Sequence, residues 1–189
     1  MKAMGRRGET EKRGEGPLIL PPKAAMVTHN ELILLASRWL KRRCSIVFSD
    51  FATSMNETPD VIGWRTGEAI LIECKVERRD FLKDCKKIFR QYPYMALGQR
   101  RFYLCPPGII ELNDLPKYWG LLWASKNRIS IKQKAMPHPE YSQAAEIRFL
   151  VSMLRRTQIR IGKTPLSEWL RFENMRGFSA EKIQEGTQP

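Results

Sequence analysis

Two strand-like segments joined by a short turn constrain the fold of this chain more than any other feature. Residues 60–64 and 69–76 are predicted strands, and residues 65–68 are predicted to form the hairpin turn between them. The start of the second strand, residues 69–72, is continuously apolar, which is typical of a strand covered on both faces. The hairpin therefore predicts a sheet that lies between two other layers of the protein.

The register of this hairpin predicts two facing carboxylates. With the turn centred on its middle two residues, Asp60 and Glu73 stand opposite each other, with Cβ atoms roughly 4.5–5.5 Å apart. Lys75 follows Glu73 at the spacing that keeps both side chains on one face of the strand. The alternative is a solvated strand edge with a cross-strand ion pair. The apolar neighbourhood disfavours it, because buried charges are costly without a ligand or counter-ion.

This arrangement suits metal-assisted chemistry on phosphate. Two carboxylates, Asp60 and Glu73, are appropriate ligands for Mg²⁺ or Mn²⁺, which keep waters and accept phosphate oxygens as further ligands. Lys75 is then a group that positions the attacking water or stabilises charge on the phosphate. Whether it also acts as a base is left open by the sequence.

The flanking segments predict an α/β fold. A helix is predicted from Thr28, which fits an N-cap whose capping box is closed by Glu31. Further elements are predicted as strands at 44–51, 101–105, 120–124 and 128–132 and as helices at 79–92 and 141–156. The order helix, three strands, helix, strands, helix predicts a mixed sheet flanked by helices.

Both ends of the chain are predicted to lie outside this domain. Residues 1–26 combine glycines, charges and prolines and are predicted to be a basic, disordered arm. The domain is predicted to span residues 27–162, and residues 163–189 a C-terminal extension with a short helix at 166–172.

The charge balance favours a polyanionic partner. The formal net charge is +13 and the isoelectric point is near 9.9, which points to nucleic acid first and to an anionic membrane surface second. No apolar stretch approaches the roughly 20 residues of a membrane span, and the N-terminus has no signal-peptide pattern, so a cytoplasmic location is expected. Four cysteines without C-x-x-C spacing, together with only two histidines, argue against a zinc site.

Basic residues concentrate on either side of the proposed site in the sequence, where phosphate contact is favoured over a merely solubilising role. The predicted nucleic-acid contacts are Arg78, Arg79, Lys83, Lys86, Lys87, Arg90, Arg100 and Arg101. Asp80 and Asp84 are predicted to form helical salt bridges. Trp64, Tyr92 and Tyr94 are interpreted as core or loop aromatics rather than as platforms for bases.

The hairpin residues resemble the PD-(D/E)xK nuclease superfamily. Its motif corresponds here to Pro59-Asp60 followed by Glu73-Cys74-Lys75, and the predicted element order is similar to its restriction-endonuclease-like αβββαβ core. More narrowly, the stretch from Glu73 onward is similar to MmcB-type DNA-repair endonucleases and related phage proteins. The residues that carry this narrower likeness are Asp80, Phe81, Asp84, Lys86, Phe102, Tyr103, Cys105, Pro106, Leu115, Pro116, Gly120, Leu121, Leu122, Arg155 and Arg156. Relatives often have serine after the acidic-x-Lys triplet, where this chain has Val76.

The resemblance covers residues 28–156 and implies a Mg²⁺- or Mn²⁺-dependent endodeoxyribonuclease in DNA repair or phage DNA processing. It implies that Asp60 and Glu73 hold the metal and that Lys75 is catalytic. Glu31 is a further catalytic candidate, because the superfamily often places a glutamate on its first helix; a capping role alone is the equal alternative. DNA is expected as the partner ahead of RNA, and a homodimer is possible. The alternative function is a non-catalytic nucleic-acid-binding module on the same fold.

Overall fold

A mixed sheet of six strands, flanked by helices, forms the protein. The computed structural model describes residues 27–49 and 57–161. The helices are α1 (His29–Lys41), α2 (Arg78–Asp84), α3 (Ile88–Gln91) and α4 (Gln143–Ile161). The strands are β1 (Ile46–Ser49), β2 (Val61–Arg65), β3 (Glu68–Cys74), β4 (Arg100–Cys105), β5 (Gly120–Ser125) and β6 (Arg128–Gln133). The predicted α/β class and the order αβββαβ of the first part of the chain are confirmed; the predicted arm at 1–26, the helix at 166–172 and the rest of the extension to 189 lie outside the described residues.

The six strands lie in the sheet in the order in which they occur along the chain. The strands β1, β2 and β3 form an antiparallel meander, whereas β4 is parallel to both β3 and β5, and β6 is antiparallel to β5. The parallel strands β3, β4 and β5 therefore end at the same edge of the sheet. Glu73 and Lys75 lie at this edge, because β3 ends at Cys74.

The predicted hairpin register is confirmed. Val61 pairs with Ile72 and Gly63 pairs with Ile70, so the next pair outward brings Asp60 opposite Glu73. The turn between the strands contains Gly67 with φ of 73°, a left-handed conformation that glycine adopts without strain.

Alternation along β3 assigns its side chains to two layers. Ile70, Ile72 and Cys74 belong to the core that packs under α1. Leu71 belongs to the opposite core, which contains Phe81 of α2, Phe149 of α4 and Tyr103 of β4. Because side chains alternate along a strand, Glu73 and Lys75 face the second layer, on the side of α2.

The capping box at the start of α1 is confirmed. The Glu31 backbone N–H donates to Thr28 Oγ1 at 3.3 Å, and the Thr28 backbone N–H donates to Glu31 Oε2 at 2.7 Å. The helix then buries Leu32, Ala36 and Leu40 completely against the sheet. The cap therefore sets the point at which the apolar face of α1 begins.

Thr28→Ala is expected to lower the free energy of unfolding by about 1 kcal/mol, because the first turn of α1 loses its capping acceptor. Urea denaturation monitored by circular dichroism measures this loss. The matched control is Thr66→Ala in the exposed β2–β3 turn, which is expected to leave stability within about 0.5 kcal/mol of the wild type. Equal stability of Thr28→Ala and Thr66→Ala would contradict the capping role.

The prediction of a single helix at 79–92 is wrong, since the structure has two short helices there. Helix α2 ends at Asp84, Cys85 caps it with helical backbone angles, and the chain becomes extended at Lys87, with ψ of 146°. Asp84 is 1% exposed and lies on the apolar side of α2. The break turns the chain so that Lys87 and Arg90 both return to this buried carboxylate.

Candidate active site

Asp60, Glu73 and Lys75 converge at the end of the β2–β3 hairpin, as the register predicts. Asp60 precedes β2, and its Oδ2 accepts a hydrogen bond of 2.7 Å from the backbone N–H of Cys74. Lys75 Nζ donates to Glu73 Oε2 at 2.9 Å. Burial raises the pKa of Glu73, and the nearby charge of Asp60 adds to this rise. Within the described residues, the second carboxylate oxygen of Asp60 has no hydrogen-bond donor.

A buried arginine holds the other oxygen of Glu73. Arg90 Nη2 lies 3.0 Å from Glu73 Oε1, and the same guanidinium contacts Glu57 Oε1 at 2.6 Å and Asp84 Oδ2 at 2.8 Å. The Arg90 side chain is 2% exposed. The structure therefore corrects the expectation that Arg90 contacts nucleic acid: it is an interior cation that ties three carboxylates together.

Asp84 is a second buried carboxylate with several partners besides Arg90. Its carboxylate lies 2.7 Å from Lys87 Nζ and 3.4 Å from Lys75 Nζ, and it accepts a hydrogen bond of 2.8 Å from the Tyr103 hydroxyl. We call the seven linked side chains the ion-pair network. Its members are Glu57, Glu73, Lys75, Asp84, Lys87, Arg90 and Tyr103. Three carboxylates and three cations balance its formal charge.

Burial and pairing act in opposite directions on these groups. Burial raises the pKa of Glu73, and the charges of Lys75 and Arg90 oppose that rise. Burial disfavours the charged forms of Asp84 and Lys75 as well. For Asp84 the cations outweigh burial, led by Arg90, and its pKa is lowered; for Lys75 the carboxylates outweigh burial, led by Glu73, and its pKa is raised. Lys75 is therefore a charged group at neutral pH, flanked by Glu73 and Asp84.

His29 is the exposed neighbour of the site. Its Nε2 lies 3.4 Å from Asp60 Oδ2, and its side chain is 45% exposed. As the first residue of α1, it brings the start of that helix to the carboxyl edge of the sheet. The mouth of the site is thus formed by His29 and by Asp60, whose side chain is 20% exposed.

Glu31 stays on the helix cap. Its carboxylate accepts hydrogen bonds from the backbone and the hydroxyl of Thr28, and these lower its pKa. It also lines a groove of about 980 Å³ with Leu35 and Val76, on the α1 side of the sheet. Glu73 and Lys75 face the other side of the sheet, so this mostly apolar groove is separate from the candidate site.

Two further arginines predicted to bind nucleic acid are engaged with the protein itself. Arg101 is 2% exposed and donates to the backbone carbonyls of Leu97 and Gly98, which fastens the loop before β4. Arg100 pairs with Glu68 and donates to the carbonyl of Ala135 at the opposite end of β4 from the site. The expectation of phosphate contact is corrected for Arg101, because it is interior.

The remaining predicted contacts are on the surface around α2. Lys83 and Lys86 are exposed, and Lys87 is half-exposed while it pairs with Asp84. Arg79 pairs with Glu77 on the surface. These four cations lie on the segment that carries the ion-pair network.

Arg78 is exposed but paired. Its guanidinium donates to both carboxylate oxygens of Asp114, at 2.6 and 2.7 Å, and this lowers the pKa of Asp114 to about 2. Arg78→Ala is expected to raise the pKa of Asp114 toward its ordinary value near 3.8. The depressed pKa gives a stabilising contribution that is present above about pH 4 and lost as the pH falls through about 2. Carbon-detected NMR titration of the Asp114 carboxyl measures the shift, and an unchanged pKa would contradict the pairing.

Four residues of the site, Glu57, Asp84, Tyr103 and His29, have positions that the sequence does not predict. The sequence predicts a helical salt bridge for Asp84, and the position of Glu57 in a loop near Pro59 favours a solvated carboxylate, yet the two residues are 1% and 5% exposed. Asp84 carries a sequence signal, because it follows Phe81 at helical spacing and so lies on the apolar stripe. Tyr103 and His29 carry no comparable signal, since their roles depend on pairings between distant segments.

The described residues contain no cluster of three or more His, Cys, Asp or Glu side chains arranged to hold a metal ion. All four cysteines are free thiols, and Cys44, Cys74 and Cys105 are buried. No helix in the described part of the chain is long and apolar enough to cross a membrane.

Comparison with known proteins shows the fold alone. No protein-family model and no curated protein matches the chain. Among solved structures, the chain is similar to a protein of unknown function from Silicibacter pomeroyi, with 24% sequence identity and a TM-score of 0.53. The match covers 79% of this chain and 99% of that chain. The α/β architecture is therefore shared with a natural protein over most of its length.

Proposed function

We propose that this protein is a metal-dependent nuclease of the PD-(D/E)xK type that hydrolyses phosphodiester bonds in DNA. The observation that carries the proposal is the convergence of Asp60, Glu73 and Lys75 at the end of a buried strand. The resemblance to MmcB-type DNA-repair endonucleases and related phage proteins supports a role in DNA repair or phage DNA processing. The net charge of +13 supports a polyanionic substrate.

The carboxylates fit a Mg²⁺ or Mn²⁺ ion. Asp60 has one oxygen fixed by the Cys74 N–H and, among the described residues, a second oxygen without a donor. Each oxygen of Glu73 has one cationic partner and retains a further lone pair. Mg²⁺ needs only one or two protein carboxylates, because waters and phosphate oxygens complete its coordination. When bound, such a cation supplies Lewis acidity toward water and phosphate.

The residues of the site have different proposed roles. Asp60 and Glu73 hold the cation, and the Cys74 N–H keeps the Asp60 carboxylate oriented. Lys75 is held between Glu73 and Asp84, so its ammonium stays charged and stabilises the negative charge that grows on the phosphate. Arg90, which is buried, holds Glu73 in position through its ion pair with Oε1.

A non-catalytic nucleic-acid-binding module is the second candidate. The observation that favours it is that both Glu73 oxygens already have cationic partners, Lys75 and Arg90. In that case the ion-pair network is purely structural, and DNA affinity is independent of Mg²⁺. Among the described residues, the other oxygen of Asp60 has no hydrogen-bond donor; this partly exposed carboxylate is therefore available to a cation, which favours the nuclease.

The test is a cleavage assay of the purified full chain on single-stranded, duplex, flapped and branched DNA and on RNA, each with Mg²⁺, Mn²⁺ or EDTA. Cleavage of DNA in either metal and none in EDTA is the expected result. Binding without cleavage of any substrate under any of these conditions would favour the binding module. Cleavage of RNA alone would retain the chemistry and correct the substrate.

A further inference from the structure

A small cavity lies between the α3 segment and α4, close to the proposed active site. Its volume is about 250 Å³, and its lining includes Glu57, Phe89, Tyr94, Leu97, Ala145 and Arg148. We propose that it receives one unpaired nucleotide, which makes single-stranded or locally unpaired DNA the substrate of this enzyme. The inference rests on the proposed function and names its substrate class.

The wall of the cavity carries an exposed aromatic ring. Tyr94 is 58% exposed and its neighbour Tyr92 is 47% exposed, with ring centroids 6.0 Å apart. Trp64, by contrast, packs against Phe48 and Phe149, as expected for a core aromatic. Exposed aromatic side chains are the usual platforms on which single-stranded nucleic acids stack their bases. The structure therefore separates the tyrosines, which are available to bases, from the tryptophan, which is not.

The floor and the rim of the cavity provide polar groups of the right kind. Glu57 is 5% exposed, and its oxygens accept from Arg90 and from the Leu97 N–H while retaining further lone pairs. A carboxylate at this position can accept the amino N–H of a base edge. Arg148 is exposed at the rim and forms no ion pair with any described residue. It is therefore available to a phosphate of the same nucleotide.

Glu57 connects this cavity to the active site. Its Oε1 lies 2.6 Å from Arg90, and Arg90 lies 3.0 Å from Glu73. A nucleotide held at Glu57 is thus separated from the proposed metal ligand by a single arginine side chain. A base in a duplex must be unpaired and extruded from the stack before it can enter a recessed cavity, and this extrusion costs free energy. Unpaired strands enter without that cost.

The experiment measures binding, independently of cleavage. Fluorescence anisotropy of the full chain in EDTA compares a labelled single strand of about 20 nucleotides with the same sequence as a duplex. The variants are Tyr94→Ala, Tyr94→Phe and Arg148→Ala, and the matched control is Arg128→Ala, an exposed arginine on β6. Thermal unfolding of each variant verifies that it is folded.

The wild type is expected to bind the single strand more tightly than the duplex. Tyr94→Ala is expected to weaken single-strand binding roughly tenfold, while Tyr94→Phe, which keeps the ring, stays within about twofold. Arg148→Ala is expected to weaken it severalfold more than Arg128→Ala. Preference for the duplex, or wild-type affinity of a folded Tyr94→Ala, overturns the inference. Tyr94-dependent single-strand binding in a protein that cleaves nothing supports this cavity and rejects the nuclease.

Discussion

Asp60→Asn is expected to lower metal-dependent DNA cleavage by more than about a hundredfold. Mutating a residue that only hydrogen-bonds to a metal ligand typically lowers metal affinity or activity about 10- to 100-fold. Asp60 is proposed to be a direct ligand, so a larger loss of activity is expected. Asparagine keeps the shape of the side chain and an oxygen that accepts the Cys74 N–H. The substitution therefore removes the negative charge and retains this hydrogen bond. Initial rates of cleavage under saturating Mg²⁺ measure the effect, with thermal unfolding as the check on folding.

Glu140→Gln, in the loop before α4, is the matched control for this substitution. Glu140 is exposed and lies outside the ion-pair network, so the same loss of one negative charge is expected to leave the cleavage rate within about twofold. A folded Asp60→Asn protein that cleaves at the rate of Glu140→Gln would show that Asp60 holds no catalytic metal.

Arg90→Met is expected to lower the free energy of unfolding by about 3–5 kcal/mol. The guanidinium contacts Glu57, Glu73 and Asp84 and is 2% exposed, so its removal leaves buried carboxylates without their central cation. Methionine retains much of the side-chain volume, and the loss therefore reports on charge more than on a cavity. Urea denaturation of the two proteins at neutral pH gives the difference.

The control for Arg90→Met is Arg128→Met, which removes an exposed arginine from β6 and is expected to change stability by less than about 0.5 kcal/mol. The free energy of unfolding of Arg90→Lys is expected to lie between those of Arg90→Met and Arg128→Met. Lysine keeps the charge, but one ammonium cannot contact three carboxylates as the guanidinium does. If Arg90→Met were as stable as Arg128→Met, the ion-pair network would not be holding the site together.

The hairpin shows what the sequence makes predictable. Side chains alternate strictly along a strand, and a two-residue turn leaves a single register, so the pairing of Asp60 with Glu73 follows from the position of Gly67. The capping box of α1 is equally local, because Thr28 and Glu31 are three residues apart. Interactions of this kind are specified by spacing alone.

The ion-pair network shows what is not predictable in this way. Glu57, Glu73 and Arg90 meet only after a loop, a strand and a short helix have been placed relative to each other. The helical pattern at 79–92 predicts one continuous helix, and its spacing contains no signal for the break after Asp84. That break lets cations from the next turn of chain reach a carboxylate that is buried on the apolar stripe.

The orientation of the basic residues is also not predictable from composition. A high content of lysine and arginine indicates a polyanionic partner, but it does not say which side chains face outward. Arg101 is turned inward to backbone carbonyls, whereas Lys83 and Lys86 remain exposed. Charge composition therefore indicates a class of partner more directly than it indicates the residues that would contact it.

A time course that compares wild-type protein with Lys75→Met determines whether DNA cleavage originates at the hairpin site. Both proteins receive the same labelled DNA with Mg²⁺, and Mn²⁺ binding is followed in parallel by electron paramagnetic resonance. We expect metal-dependent cleavage by the wild type and loss of cleavage in Lys75→Met. The variant is expected to remain folded and to bind Mn²⁺, because Lys75 stabilises charge without being a metal ligand. Equal cleavage by the two folded proteins, or no cleavage by the wild type, would contradict an origin of cleavage at the hairpin site.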